Sequence, residues 1–277
     1  MSVVPVFLYH AVADDAPSWL APYTVSPRTF AEQLDMVADS GLTVVPLRRL
    51  VAALLGGPPV PPRSAVLTFD DGYADFASTV APLLAARGLP STLYVTTGAL
   101  SPEGGPPGRG PFPSVATLDR ARVRELDAAG VEIGGHSVTH PQLDTLPRAS
   151  VREEVTGCKR DIEDTLGHRV DAFAYPHGYS SRAVRALVRE AGWTSAAAIR
   201  ADSAFSSETD DPLRFARLMV RADTGRERFA RWTGGEGAPV APFAEGARTR
   251  GWRAYRRTRA AIGLPYRALP ASPARSA

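Results

Sequence analysis

The chain has 277 residues, of which 44% are hydrophobic, and it carries a formal net charge of +3. A chain of this size can bury a substantial core, and one large α/β domain fits it as well as two small ones. Cys158 is the only cysteine, which excludes an internal disulfide, and no stretch is long and apolar enough to span a membrane. No basic leader precedes the first apolar run, so we expect no signal peptide and a cytoplasmic location.

Strand-like and helix-like segments alternate along most of the chain. Strands are predicted at 3–9, 43–47, 64–72, 91–97, 131–135, 172–176, 194–199 and 218–220. Helices are predicted at 27–40, 50–55, 73–87, 115–129, 148–166 and 181–191, and the Gly- and Pro-rich stretch 101–113 is expected to be irregular. This alternation predicts an α/β fold, a distorted (β/α) barrel of seven or eight parallel strands.

Several ionisable residues fall at the ends of these predicted strands. They are His10, Asp70, Asp71, His136 and His177. In (β/α) barrels the chemistry lies at the carboxyl ends of the strands. The clustering therefore predicts an active site at that end of the barrel.

Two neighbouring aspartates follow one short apolar strand. Asp70 and Asp71 come directly after the run 65–69, and Gly72 allows a sharp turn behind them. Neighbouring side chains on a strand point to opposite sides, so we expect different tasks for the two carboxylates, one binding a metal and one moving protons. For an Asp-Asp-Gly sequence alone, the alternative is a polar turn or a helix N-cap.

Two histidines follow another apolar strand. His136 and His140 are four residues apart, which places them on one face of a helical turn and within reach of one metal ion. Together with one aspartate they supply three ligands, the number that a catalytic zinc site uses beside an open position for water. A purely structural role of both histidines is the alternative.

These two segments resemble a known family. Thr68–Gly72 and His136–His140, in this order and separation, are similar to the first two motifs of the polysaccharide deacetylases, carbohydrate esterase family 4. The resemblance implies a hydrolase that removes the N-acetyl group from an N-acetylated amino sugar and releases acetate. We assign Asp71 and both histidines to a divalent metal, zinc being the first choice and cobalt, manganese or nickel the alternatives.

The reaction also needs a base and an acid. The resemblance implies that Asp70 takes the proton of the attacking water, and the alternative is that it only orients its neighbours. Many relatives supply the acid from a late Leu-x-x-His motif, which is absent from residues 213–220. Because Leu8–His10 resembles the poly-N-acetylglucosamine deacetylase subgroup, we assign His10 as the acid. The alternative is a strand-end histidine bonded to the backbone.

A third segment resembles the family with two departures. Phe173–Gly178 is similar to the motif that usually reads Arg-Pro-Pro-Tyr-Gly, which implies that the backbone N–H of His177 stabilises the oxyanion. Ala174 replaces the arginine expected to contact the catalytic aspartate, and His177 replaces the tyrosine. Arg217 is our candidate for the missing guanidinium.

Four residues are assigned to substrate binding: Tyr9, Tyr175, Pro176 and Trp193. Core packing is the alternative for Trp193. The side chain of His177 has three open roles, as an acid, as a sugar contact or as part of the pocket wall.

The end of the chain differs from the rest in charge. Residues 246–277 carry arginines and no acid, and Trp252, Tyr255 and Ile262 alternate with these arginines. Such a basic amphipathic helix either contacts anionic lipid or a lipid-linked substrate carrier, or packs its aromatic rings on the domain. We expect a catalytic domain over 1–235 and an extension over 236–277 whose last residues are disordered. No nucleic-acid-binding motif is present.

Two other functions compete with N-deacetylation. The same residues suit the hydrolysis of an O-acetyl ester or a cyclic amide. The replaced arginine and the missing late histidine also suit a sugar-binding protein that has lost turnover.

Overall fold

The computed structural model describes residues 3–100, 111–199, 203–244 and 246–264. The strands are β1 (Val3–Val4), β2 (Val6–Tyr9), β3 (Ala11–Val12), β4 (Thr24–Val25), β5 (Thr43–Val44), β6 (Ser64–Phe69), β7 (Thr92–Val95), β8 (Glu132–Gly135), β9 (Ala172–Ala174), β10 (Ser195–Ala197), β11 (Ser206–Ser207) and β12 (Leu218–Met219). The helices are α1 (Pro27–Asp39), α2 (Leu47–Leu54), α3 (Ala81–Ala85), α4 (Arg120–Ala128), α5 (Arg148–Leu166), α6 (Arg182–Glu190), α7 (Arg226–Thr233) and α8 (Ala247–Ala261).

The central sheet is parallel and runs in the order β10-β9-β8-β7-β6-β2-β12, with β5 paired beside β6. All residues of β2 and β6 are buried, as expected for parallel strands that are covered on both faces. Because parallel strands share a direction, the residues that follow them meet at one end of the sheet. The predicted fold, a distorted (β/α) barrel of seven or eight parallel strands, is confirmed.

A short segment before β12 connects the two outer edges of this sheet. The amides of Ala196 and Ala198, in and directly after β10, donate to the carbonyls of Pro212 (2.8 Å) and Phe215 (3.0 Å). At its other end the segment pairs with β2 through β12. Residues 212–219 thus curl the sheet toward closure and carry the buried Arg217 to the strand ends.

The predicted helix 73–87 is wrong in one respect. Residues Phe76–Val80 form a π-helix, and the α-helix α3 covers only Ala81–Ala85. Pro82 has no amide hydrogen and its ring crowds the carbonyl four residues earlier, so a regular α-helix cannot continue through it. The helix predicted from residue 115 begins at Arg120 instead, where the Asp119 side chain accepts the Arg122 amide at 2.7 Å.

The helix α8 docks on the barrel with one face and leaves the other in solvent. Arg256 lies on the inner face and is buried, and Trp252 donates from Nε1 to the Tyr179 hydroxyl at 3.1 Å. Tyr255 on the helix is exposed, as is Ile262 directly after it. Among the described helices, none has the length and apolar composition that crossing a membrane requires. The expected disorder after residue 270, and most of the predicted irregular stretch 101–113, lie outside the described residues.

Candidate metal centre and catalytic site

Three predicted metal ligands meet at the carboxyl ends of β6 and β8. Oδ1 of Asp71 lies 3.4 Å from Nε2 of His136 and 3.3 Å from Nε2 of His140. One ligand atom from each residue lies within 4.8 Å of the others. One carboxylate oxygen and two imidazole nitrogens form the donor set that zinc and similar divalent ions accept.

The Asp71 carboxylate shows that this cluster suits a cation. Its Oδ1 atom is buried and has no hydrogen-bond partner in the described structure. Buried carboxylate oxygens are normally hydrogen-bonded, because desolvation without a partner is costly. A divalent ion between Asp71 and the two imidazoles would satisfy this oxygen.

The protonation pattern of the cluster also fits a metal. Burial would raise the pKa of Asp71, but the adjacent His140 and His136 outweigh it and hold this pKa below its ordinary value. Burial lowers the pKa of His136 to about 4. At neutral pH the cluster therefore offers an ionised carboxylate and a neutral imidazole, the forms in which both residues bind metal.

A backbone carbonyl orients the first histidine. Nδ1 of His136 lies 2.8 Å from the carbonyl oxygen of Ala174. A carbonyl can only accept, so Nδ1 carries the proton and Nε2 keeps its lone pair toward Asp71. Partners of this kind fix the tautomer and ring orientation of metal-binding histidines.

The loop that carries the second histidine is not the helical turn that the spacing predicted. Ser137 and His140 have positive φ values of 67° and 58°, which excludes a regular helix over this segment. The Glu154 carboxylate on α5 accepts the amides of Val138 and Thr139, both at 2.9 Å. This side chain from another element satisfies the loop's donors, so local i→i+4 hydrogen bonds are not needed.

The backbone at the two aspartates is also left-handed. Asp71 has φ 76° and Gly72 has φ 82°. A side-chain Cβ at Gly72 would lie 3.3 Å from Val95 Cγ1, so the turn is both twisted and tightly packed. Left-handed conformations of residues other than glycine cost free energy and cluster at functional sites. This turn directs Asp71 away from Asp70.

Asp70 pairs with a buried arginine that directly precedes β12. Nη1 and Nη2 of Arg217 lie 2.7 Å from Oδ1 and Oδ2 of Asp70, and Nη1 also lies 3.3 Å from Oγ1 of Thr68. Burial would raise the pKa of Asp70, but Arg217 outweighs it and holds this pKa below its ordinary value. The guanidinium of Arg217 thus contacts Asp70, the contact expected of an arginine at the position of Ala174.

His10 lies near both carboxylates, at the end of β2. Its ring centroid is 5.2 Å from that of Tyr23, and its Nδ1 atom is buried without a hydrogen-bond partner in the described structure. Burial lowers the pKa of His10, while the charges of Asp71 and Asp70 act in the opposite direction. The imidazole is therefore neutral at neutral pH.

His177 occupies a turn beside His140. Its φ is 58°, and its ring centroid lies 4.6 Å from that of His140. The side chain is exposed, whereas Pro176 before it is buried. A Cβ at Gly178 would lie 2.5 Å from Ile199, so the turn is pressed against the barrel and held in place.

Three of the four residues predicted to bind substrate pack in the core instead. The Tyr9 hydroxyl donates to Gln33 at 3.0 Å, the Tyr175 hydroxyl to a backbone carbonyl at 2.9 Å, and Trp193 Nε1 to another at 3.1 Å. All three rings are buried. Their polar atoms are satisfied internally, and no ring presents a face to a sugar.

Residue patterns did not identify several contacts that build the site. The Ala174 carbonyl leaves no signal in the sequence, because every residue has one. Glu154 looks like any exposed acid on an amphipathic helix. Phe112, whose ring lies 5.2 Å from His140 and 6.4 Å from Trp19, falls at the edge of the stretch predicted to be irregular. No spacing rule connects these residues to the ligands.

Comparison with known proteins finds a family match. The polysaccharide deacetylase family model matches residues 57–196, about half of the chain. The chain is 18% identical over 184 residues to the putative polysaccharide deacetylase YxkH of Bacillus subtilis, a match that covers 66% of this chain and 60% of that protein.

Two further similarities cover other shares of the chain. An 80-residue stretch is 38% identical to the poly-beta-1,6-N-acetyl-D-glucosamine N-deacetylase of Escherichia coli K12, covering 28% of this chain and 12% of that protein. The structure of IcaB from Ammonifex degensii superposes with a TM-score of 0.72 at 22% identity, covering 84% of this chain and 97% of that one. This likeness shows a shared fold.

The cluster predicts a tight metal site at the carboxyl ends of β6 and β8. We expect Asp71→Ala and His140→Ala to weaken zinc binding more than about 100-fold, because each removes one of three ligands. Competition titration against a chromogenic chelator measures the affinity. His168→Ala is the matched control, since this histidine is half-exposed and pairs with Asp127. Unchanged zinc affinity in Asp71→Ala would contradict the assignment.

Proposed function

Because the chain belongs to the polysaccharide deacetylase family, we propose that it is a metal-dependent hydrolase that removes the N-acetyl group from an N-acetylated amino sugar and releases acetate. The observation that carries this proposal is the cluster of Asp71, His136 and His140 beside the ion pair of Asp70 and Arg217. The name of the Escherichia coli relative supports an N-acetylated glucosamine polymer or oligomer as the substrate class.

Asp71, His136 and His140 would hold the metal, with zinc as the first choice and cobalt, manganese or nickel as alternatives. A divalent cation with three protein ligands lowers the pKa of water to about 7 and polarises a carbonyl oxygen. The buried, unpartnered oxygen of Asp71 and the oriented Nε2 of His136 support this assignment.

Asp70 accepts the proton of the attacking water in this proposal. Arg217 grips both of its oxygens and keeps the carboxylate ionised, so a proton acceptor stands ready beside the cluster. The same pairing lowers the basicity of Asp70. Arg217 therefore orients the carboxylate at the cost of some of its affinity for a proton. Oδ2 of Asp70 lies 3.7 Å from Nε2 of His136, so the acceptor adjoins the ligand set.

His10 returns a proton to the leaving nitrogen. Burial lowers its pKa, so the imidazole is neutral at rest and donates only after it has taken up a proton from solvent, while the proton that Asp70 accepts returns to solvent after the products leave. The charges of Asp70 and Asp71 favour that uptake. The backbone N–H of His177 stabilises the oxyanion that forms when water adds to the acetyl carbonyl, and the tightly packed turn at Gly178 supports a fixed donor there.

The competing functions differ in what the site must do. The leaving oxygen of an O-acetyl ester depends less on protonation than the leaving nitrogen of an amide does. An enzyme that hydrolyses such esters would therefore depend less on His10. A sugar-binding protein without turnover needs no metal to activate water. The donor set of Asp71, His136 and His140 therefore favours an active enzyme.

The outer face of α8 is proposed to meet an anionic membrane or a lipid-linked carrier of the substrate. Tyr255 is exposed on α8, Ile262 and Leu264 are exposed directly after it, and residues 246–264 contain no acid. We expect co-sedimentation with anionic vesicles that salt weakens; equal binding to neutral vesicles would contradict a charge-based contact. A cytoplasmic location stays a prediction.

A substrate panel tests the proposed activity. Acetate release is measured from N-acetylglucosamine as monomer, as oligomers and on a carrier, and from an O-acetylated ester, with zinc, cobalt or manganese added. We expect metal-dependent release from the N-acetylated oligomers. Release from esters alone would support the competing esterase, and metal-free sugar binding without acetate would support a binding protein.

Asp70→Asn separates proton transfer from metal binding. We expect acetate release to fall about 10²- to 10⁴-fold, because the proton acceptor is lost, while zinc affinity stays near that of the wild type. Asp127→Asn, which alters a carboxylate paired with the half-exposed His168, is the matched control. A near-full rate in folded Asp70→Asn would show that another group removes the proton.

Arg217→Lys tests the role of the guanidinium. Lysine keeps the charge but loses the planar fork that contacts both oxygens of Asp70, so we expect the turnover number to fall on the order of tenfold with zinc affinity unchanged. Arg228→Lys, an exposed site on α7, is the control. Arg217→Ala leaves a buried charge unpaired at a cost of about 3–5 kcal/mol, so its folding must be checked first. Full activity in Arg217→Ala with loss in Ala174→Arg would contradict the assignment.

A further inference from the structure

One arginine of the C-terminal helix α8 reaches the loop that follows the second metal ligand. Nη1 and Nη2 of Arg256 lie 2.8 and 2.7 Å from Oδ1 and Oδ2 of Asp144. Nη1 also donates to Oε1 of Gln142 at 3.1 Å. Arg256 is 1% exposed, and the Asp144 carboxylate is fully buried. These contacts tie α8 to the segment that begins two residues after His140.

The same guanidinium contacts the loop that follows His177. It lies 3.6 Å from the ring centroid of Tyr179, a distance at which a cation is attracted to an aromatic face. Trp252, one turn earlier on α8, donates to the Tyr179 hydroxyl at 3.1 Å. The Tyr179 ring stacks on that of His177 with centroids 6.2 Å apart. One turn of α8 therefore holds both loops.

Both loops contain a backbone that needs outside support. His140 and His177 each have φ 58°, a left-handed conformation that persists only where the surrounding contacts fix it. Their rings lie 4.6 Å apart. Among the contacts that fix this pair, Glu154 holds the first half of the His140 loop, and the second half reaches Arg256 through Asp144.

The charge balance makes Arg256 difficult to replace. Asp144 is a buried carboxylate, and Arg256 satisfies both of its oxygens, while Nε of Arg253 lies at 3.5 Å. Removing one partner of such a pair leaves a buried charge that draws in water and disturbs its surroundings. The first segment to move would be Gln142–Asp144, four residues or fewer from His140.

We propose that Arg256 is a positioning residue of the metal centre, which fixes the ring of His140 and the turn of His177 by clamping Asp144 and Tyr179. The C-terminal helix, which lies beyond the family match at residues 57–196, is then part of the active unit. This inference rests on the proposed metal site. Partners that orient a metal ligand without touching the metal typically change metal affinity 10- to 100-fold.

Metal affinity and a cobalt spectrum test the inference without relying on turnover. Zinc affinity of the full chain is measured by chelator competition, and cobalt-loaded protein is compared by its visible absorption, which reports ligand geometry. We expect Arg256→Met to bind zinc at least about tenfold more weakly and to alter the cobalt spectrum. Arg256→Lys keeps a charge opposite Asp144, so it folds, and its affinity should fall between those of Arg256→Met and the wild type. Arg257→Met, an exposed neighbour on α8, is the matched control.

The outcomes separate this inference from the proposed function. Wild-type affinity and an unchanged cobalt spectrum in folded Arg256→Met or Arg256→Lys would overturn the role of Arg256 alone. A lower unfolding temperature with unchanged metal properties would also overturn it, since that result describes a purely structural contact. Absence of zinc binding by the wild type would overturn the metal site itself and this inference with it.

Discussion

Two neighbouring carboxylates at the end of β6 have different partners, and the whole site depends on that separation. Asp70 is held by a guanidinium on both oxygens, whereas an oxygen of Asp71 is buried with no donor and faces two imidazoles. Two adjacent acids with equal surroundings would repel each other, and one would take up a proton. Here the cation of Arg217 stabilises one carboxylate, and the second keeps a buried oxygen without a donor, which suits a metal. Pairs of titratable groups in contrasting environments are the usual basis of divided catalytic roles.

Backbone conformation contributes to this separation as much as charge. The left-handed turn at Asp71 and Gly72 directs the second carboxylate toward β8, where His136 follows the strand. His140 and His177 also have positive φ values. Contacts from outside each loop stabilise these conformations. Examples are the Glu154 carboxylate, which accepts two loop amides, and the Arg256 guanidinium, which binds Asp144. The barrel thus acts as a rigid frame around a strained set of loops.

The guanidinium–carboxylate contact at Asp70 comes from a different part of the chain than the family motif predicts. Ala174 cannot contact Asp70 through a side chain, yet its carbonyl orients His136. The guanidinium comes instead from Arg217, on the segment that links the two edges of the sheet. A planar cation contacts both oxygens of Asp70, and the barrel offers more than one strand end from which to supply it.

Local sequence determined the strands of the central sheet, most helices and the family motifs, because apolar runs, capping residues and an Asp-Asp-Gly turn act on the backbone within a few residues of themselves. It also singled out Asp70, Asp71, His136 and His140, since these follow strands that had to be parallel. The sequence indicates Arg217 only as a candidate guanidinium, and tertiary structure decided that it contacts Asp70 across 147 positions of sequence. Tertiary structure also decided that Tyr9, Tyr175 and Trp193 are buried, and that 137–140 is a braced loop rather than a helical turn. Such outcomes depend on which distant side chain satisfies a buried donor, acceptor or charge, and no local pattern carries that information.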